Sequence, residues 1–266
     1  MVGNVTDTAA NTAAGTAANT LAGTAKFARH HRSDHGFFLF YLVLIWLVMI
    51  GGFGLDIVRK FAKVGLHYPL IVHVHALVFT GWLVLFTTQV LLNGRGNNRL
   101  HRRLGVLALG FIPLMVVLGP ATAIVVDRLK FGHPNTAFPF VSAQFANVLA
   151  SSVVLVAGLL FRAHPAAHKR LMLMGTLAMT EPGIARLVLK PLGAMLGKGV
   201  WPFFFADYGG SVLLMVGLGA YDMVTRGRLH LAYVAAFAWV LANEMTAAWL
   251  FNQPWWAVVT THMLGH

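Results

Sequence analysis

Polar residues are sparse along most of this chain and return mainly at intervals of about one helix length. Between them run seven apolar stretches, at about 37–55, 68–92, 105–126, 138–161, 171–189, 202–224 and 230–251. Each approaches the ~20 residues that a helix needs to cross the hydrocarbon of a bilayer. The pattern predicts an all-α polytopic membrane bundle of about seven transmembrane helices. The fifth stretch departs most from the pattern, because it carries Glu181, Pro182 and Arg186. Short connections favour antiparallel neighbours. Before the first stretch, residues 1–25 are Ala, Thr, Asn and Gly with little else, and predict a disordered tail. A basic, histidine-rich flank, KFARHHRSDH at 26–35, joins that tail to the transmembrane domain at 37–251. It reads as a headgroup-contacting flank, with metal binding as the sharper alternative. Residues 252–266 form a tail whose Trp255 and Trp256 suit the membrane interface.

Composition agrees with the pattern. Of 266 residues, 58% are hydrophobic and 11% charged, and the mean hydropathy is +0.70. That is too little charge to coat a soluble surface. The formal net charge of +12 would point to nucleic acid in a soluble protein. Here basic loops anchor helices to anionic headgroups, so the expected partner is the lipid bilayer and not nucleic acid. With the amino terminus inside, twelve lysines and arginines fall on the cytoplasmic side and seven on the other. This predicts a multi-pass protein of the cell membrane with a cytoplasmic amino terminus. The absence of cysteine excludes disulfides, thiolate metal sites and cysteine nucleophiles. No midspan lysine is present for a Schiff base, and no catalytic residue is assigned.

The candidate chemistry lies in polar residues inside apolar stretches, which are costly in hydrocarbon and mark function or internal pairing. The depths put His73, His75, Gln144, Arg186, Asp207 and Glu244 in the outer half and Asn147 and Glu181 near the middle, a similar zone. This set reads either as an internal polar network or as a cavity or metal site, with His73, His75 and Glu181 as candidate ligands. His73 and His75 lie ~200° apart on a helix, so they do not share one metal. His75 shares its face with Phe79, Trp82, Phe86 and Gln89, a flat aromatic surface for a planar cofactor or for ordinary packing. On the inner side His101, His168 and His230 stand among Arg102, Arg103, Lys169, Arg170, Arg226 and Arg228. They read as snorkelling helix ends, or as a site for a phosphate, a haem propionate or a quinone oxygen. Asp222 could orient one of these cations. An inner haem between His101, His168 and His230 is geometrically possible, and an outer one would need His133 or His262 as a second ligand.

The segments HVHALVFTGWLVLF at 73–86, LHRRLG at 100–105, HKRLM at 168–172 and YDMVTRGRLH at 221–230 resemble a set of uncharacterised bacterial polytopic membrane proteins. The LHRRLG turn also resembles bacterial membrane families placed beside di-haem cytochromes b. That resemblance implies haem b as a cofactor and a haem role for His73, His75, His101 and His168. Three readings follow: a redox or cofactor-binding protein using haem or a divalent metal, a proton-linked or small-molecule transporter, and a non-catalytic subunit or assembly factor alongside other membrane subunits.

Overall fold

The computed structural model describes residues 27–55, 57–58, 68–131 and 137–264. All regular structure among them is helical. The elements are α1 (Asp34–Met49), prolonged by a π turn at Ile50–Gly54, then α2 (Leu70–Gly94), α3 (Asn98–Gly105), α4 (Ala108–Leu129), α5 (Val141–Leu160), α6 (Pro165–Ala178), α7 (Glu181–Leu196), α8 (Val200–Asp207), α9 (Gly209–Arg226), α10 (Leu231–Phe251) and α11 (Pro254–Leu264). The predicted tail at 1–25, Lys26 and His133 lie outside the described residues.

Among the described residues, five helical stretches are long and apolar enough to cross a membrane, and a sixth if the bent pair α8–α9 is one span. The expectation of seven uninterrupted spans therefore needs correction at two places. The stretch at 171–189 is two helices, α6 and α7, parted at Met179 and Thr180. Pro182 is the physical reason: without an N–H it cannot continue the ladder back to the Ala178 carbonyl. The stretch at 202–224 bends by 64° at Tyr208, between α8 and α9.

Contacts between chain-distant residues align the ends. The starts of α1, α6 and α10 meet the ends of α2 and α9 at one end of the bundle, which we call the strap end. There Asp34 meets Lys169 and Arg226, and Phe27 meets His230. At the far end Trp256 Nε1 donates to the Pro139 carbonyl at 3.1 Å, and Arg128 to that of Met263 at 3.3 Å. So the tail at 252–266 includes a docked helix, α11.

The core runs through the middle of the bundle, around Ile45, Trp82, Leu155, Met174, Leu177, Met215 and Val240, all fully buried. Glycines let helices approach. A Cβ on Gly52 would lie 2.1 Å from the Gly183 carbonyl oxygen, so the π turn and α7 cross backbone to backbone, as small residues allow in bilayer proteins. The outside is apolar as well: Leu70, Leu77, Val224 and Leu231 are each more than 70% exposed.

Candidate functional site

The two helix breaks bring carboxylates together. Glu181 is the first residue of α7, where a helix N-terminus favours negative charge. The break leaves the Ala178 carbonyl without its ladder donor, because the residue four positions on is Pro182. Asn147 of α5 supplies one. Its Nδ2 donates to Ala178 O at 2.7 Å and to Glu181 Oε2 at 2.8 Å. A single amide thus mends the break and orients the carboxylate. Ser151 Oγ, one turn along α5, donates to the Asn147 carbonyl at 2.7 Å.

Glu244 of α10 lies beside Glu181, close enough for the charge of one carboxylate to act on the other. Glu244 is 1% exposed, and neither of its oxygens meets a donor; Glu181 Oε1 has none either. Asp207, the last residue of α8, is buried at the second break and close enough to Glu181, Glu244 and Arg186 for its charge to act on theirs. Beside it, the hydroxyl of the fully buried Tyr208 is unpartnered, as is the side-chain oxygen of Gln144, one turn from Asn147. Three buried carboxylates from three helices therefore share one region, with a phenol and two amides around them.

Arg186 is exposed; its Nη1 donates to the Pro182 carbonyl at 2.6 Å and its guanidinium lies 4.2 Å from the Phe53 ring centre. His73 is exposed on the surface of α2. His75 stacks on Phe79 at 4.2 Å with Nδ1 buried and unpartnered. Trp82 and Phe86, further along that face, are buried in the core, so this part of the aromatic face is spent on packing. Among the described residues no three His, Cys, Asp or Glu side chains converge to hold a metal ion. His73, His75 and Glu181 are thus not brought together as a ligand set.

The strap end holds a second constellation. His168 Nδ1 donates to the Gly158 carbonyl at 2.7 Å, which leaves Nε2 with the lone pair. Burial holds this imidazole below the ordinary histidine range, against the Gly158 bond. His101 lies opposite, ring centres 6.3 Å apart and planes at 89°, with its Nδ1 3.3 Å from the Gln89 carbonyl. His230 is differently employed: its Nδ1 accepts from Ala232 N at 3.1 Å and caps α10. Burial and the nearby Arg170 and Arg228 charges keep it below its usual value, opposed by Asp222.

Three of the cations here, Lys169, Arg170 and Arg226, are paired with carboxylates and not left to snorkel. Arg170, 1% exposed, clasps Asp222 through Nε and Nη2 at 2.5 Å each. Asp222 also receives Arg226 Nη1 at 3.4 Å. The flank at 27–34 is folded over this network as a strap. Asp34, read from sequence as part of a headgroup-facing flank, is buried and accepts from Lys169 at 2.5 Å, Arg226 at 2.7 and 2.9 Å and the Tyr221 hydroxyl at 2.7 Å. Its helix-starting position after Ser33 was the available signal. Tyr208 carried none, because an aromatic in an apolar run reads as packing.

Comparison with family models, with curated proteins and with solved structures gives no match.

Proposed function

We propose that this chain is a multi-pass membrane protein that carries a proton on the Glu181–Glu244 pair and works as a proton-linked carrier. Its exposed apolar surface and its long apolar helices support the bilayer setting. In this reading the bundle crosses seven times, α6–α7 and α8–α9 each forming one interrupted crossing. The basic-residue asymmetry puts the strap end in the cytoplasm.

The single observation that carries the reading is the buried pair of carboxylates facing each other. Two ionised carboxylates at that separation repel strongly where the dielectric is low, and one proton between them relieves this. A proton needs no cavity, so a buried, packed site suits it. Discontinuous helices whose broken ends bear the ion-handling groups are also how secondary transporters build binding sites at midmembrane. The interrupted crossings here meet that requirement, although no repeat between halves is evident.

A carbodiimide test follows, since such reagents add the protonated carboxyl of an apolar site across their N=C bond. Dicyclohexylcarbodiimide should modify Glu181 or Glu244 of the purified protein, less so as the pH is raised, with mass spectrometry locating the adduct. No adduct on either residue across the acidic to neutral range contradicts the reading.

A second reading has its own observation. His101 and His168 would hold a metal, since their ring centres lie 6.3 Å apart and imidazole nitrogen is a common metal ligand. The fixed Nδ1–H of His168 is the carbonyl bond that orients metal-bound histidines. Haem b, as the sequence resemblance implies, or a divalent metal would be held here, supplying redox or Lewis-acid chemistry. Haem absorbance or stoichiometric metal in the purified protein, lost in His101→Gln and His168→Gln, supports it; neither signal in the wild type rules it out.

A further inference from the structure

We infer that the charged network at the strap end is a gate: Arg170, Asp222 and the strap Phe27–Asp34 lock the two interrupted crossings together and close the path from the carboxylate site to that face. The inference rests on the carrier reading and adds to it which side is shut and what shuts it.

The lock and the site share their helices. α6 carries Lys169 and Arg170 in its first turns and ends at the break before Glu181. From Arg170 to Glu181 is about 16 Å at the helical rise of ~1.5 Å per residue. α9 begins at the break after Asp207 and carries Tyr221, Asp222 and Arg226 near its other end, with Asp222 about 21 Å from Tyr208 on the same rise. Each interrupted crossing therefore has a carboxylate at its break and a charged latch at the strap end. Motion of α6 against α9 at one end is transmitted along a rigid half-helix to the other.

The latch has two layers. The inner one is the two-pronged Arg170–Asp222 bond joining α6 directly to α9. The outer one is the strap, which bridges the same helices without belonging to either. Its Asp34 carboxylate takes Lys169 from α6 and Arg226 from α9. Its Arg29 and Ala28 carbonyls accept from Lys169 Nζ at 2.9 Å and Arg226 Nε at 3.1 Å. Its Phe27 ring sits 4.4 Å from the Arg170 guanidinium, with Arg226 and Arg228 at 5.4 and 5.7 Å. Cation–π contacts of this kind gain strength as water is excluded. A strap needed only to shield the helix ends would not have to place acceptors on both crossings. The inner layer is buried and costly to break by itself, whereas the strap is exposed at residues 28–30 and is the part that can release first.

The chain has no cysteine, so one introduced thiol is the only one. Leu218 is 1% exposed and lies one turn inside Asp222 on the same face of α9. Leu218→Cys is reacted with a membrane-impermeant quaternary-ammonium methanethiosulfonate in vesicles of each orientation, alone and combined with Asp34→Asn or Phe27→Ala. The expected result is a rise of at least about tenfold in modification from the strap side in both combinations, the change for losing one charge-assisted hydrogen bond in Asp34→Asn or the desolvated cation–π contacts in Phe27→Ala. Reaction from the far side should not change. Unchanged strap-side rates in variants that extract and elute like the parent overturn the gate. If Asp34→Asn does not fold, Phe27→Ala alone decides. Thiol accessibility does not depend on whether Glu181 holds a proton, so the gate and the carrier reading fail separately: carbodiimide labelling of Glu181 or Glu244 tests the latter in the same preparations.

Discussion

Asn147 holds Glu181 across the bundle by a 2.8 Å hydrogen bond from the same amide nitrogen that reaches the Ala178 carbonyl. Replacing this residue by Leu keeps its approximate size and removes both bonds. Two buried acceptors are then left without a donor, each costing about 1–3 kcal/mol. Asn147→Leu should therefore lower the melting temperature in detergent clearly. An unchanged melting curve would mean that the break at Thr180 is held by other contacts.

The lock makes a second stability prediction. Asp222→Ala leaves the Arg170 guanidinium buried and unpaired, a loss of about 3–5 kcal/mol. The double variant Arg170→Met with Asp222→Leu removes both charges and should recover most of it. Denaturation of the single and double variants checks this; a double variant no better than the single one would show that the pair is not the source of the loss.

How much of this could be read from the chain depends on what each property reports. The stretches 68–92, 138–161 and 230–251 correspond to α2, α5 and α10 within a few residues, because hydropathy reports how apolar a segment is. It does not report whether its helix is continuous. The breaks at Thr180 and Tyr208 interrupt the ladder without adding much polarity. Pro182 and the Gly209–Gly210 pair were the local signs, and only the first stood out. Asn147, Glu181, Asp207 and Glu244 were legible as polar groups in apolar runs, but their convergence depends on how four helices pack and on the two breaks. Asp34 was hidden for the opposite reason, since a carboxylate in a polar flank looks solvated.

The close crossing at Gly52 is tested by size alone. A methyl group there meets the Gly183 carbonyl oxygen at 2.1 Å, and backbone cannot swing aside as a flexible side chain can. Gly52→Ala should sharply reduce folded yield. Gly110→Ala, in α4 with open space around it, should instead be neutral or gain about 0.5–1 kcal/mol from helix propensity. Equal behaviour of the two would dismiss the crossing as a constraint. Fluorescence-detected size exclusion of both variants reads the outcome.

Histidine 168 adds a pH dependence. Its folded-state value is lowered from the ordinary 6.5, mainly by burial, so the unfolded chain takes the proton first as pH falls. Stability tied to this group is fully present above pH 6.5 and declines below it. The melting temperature should drop between pH 7 and 5, and His168→Gln, which can still donate to the Gly158 carbonyl, should flatten part of that slope. A slope identical in the variant would assign the pH dependence to other groups.

The most direct test of the proton-carrying pair is an infrared difference spectrum of the reconstituted protein, recorded across a pH titration. A protonated carboxyl in an apolar site has a carbonyl stretch well apart from those of carboxylate and amide. The expected result is such a band at neutral pH, shifting on exchange into heavy water and disappearing in both Glu181→Gln and Glu244→Gln. Absence of the band from wild-type protein at neutral pH, or its persistence in both variants, would contradict the proposal that this pair holds the proton.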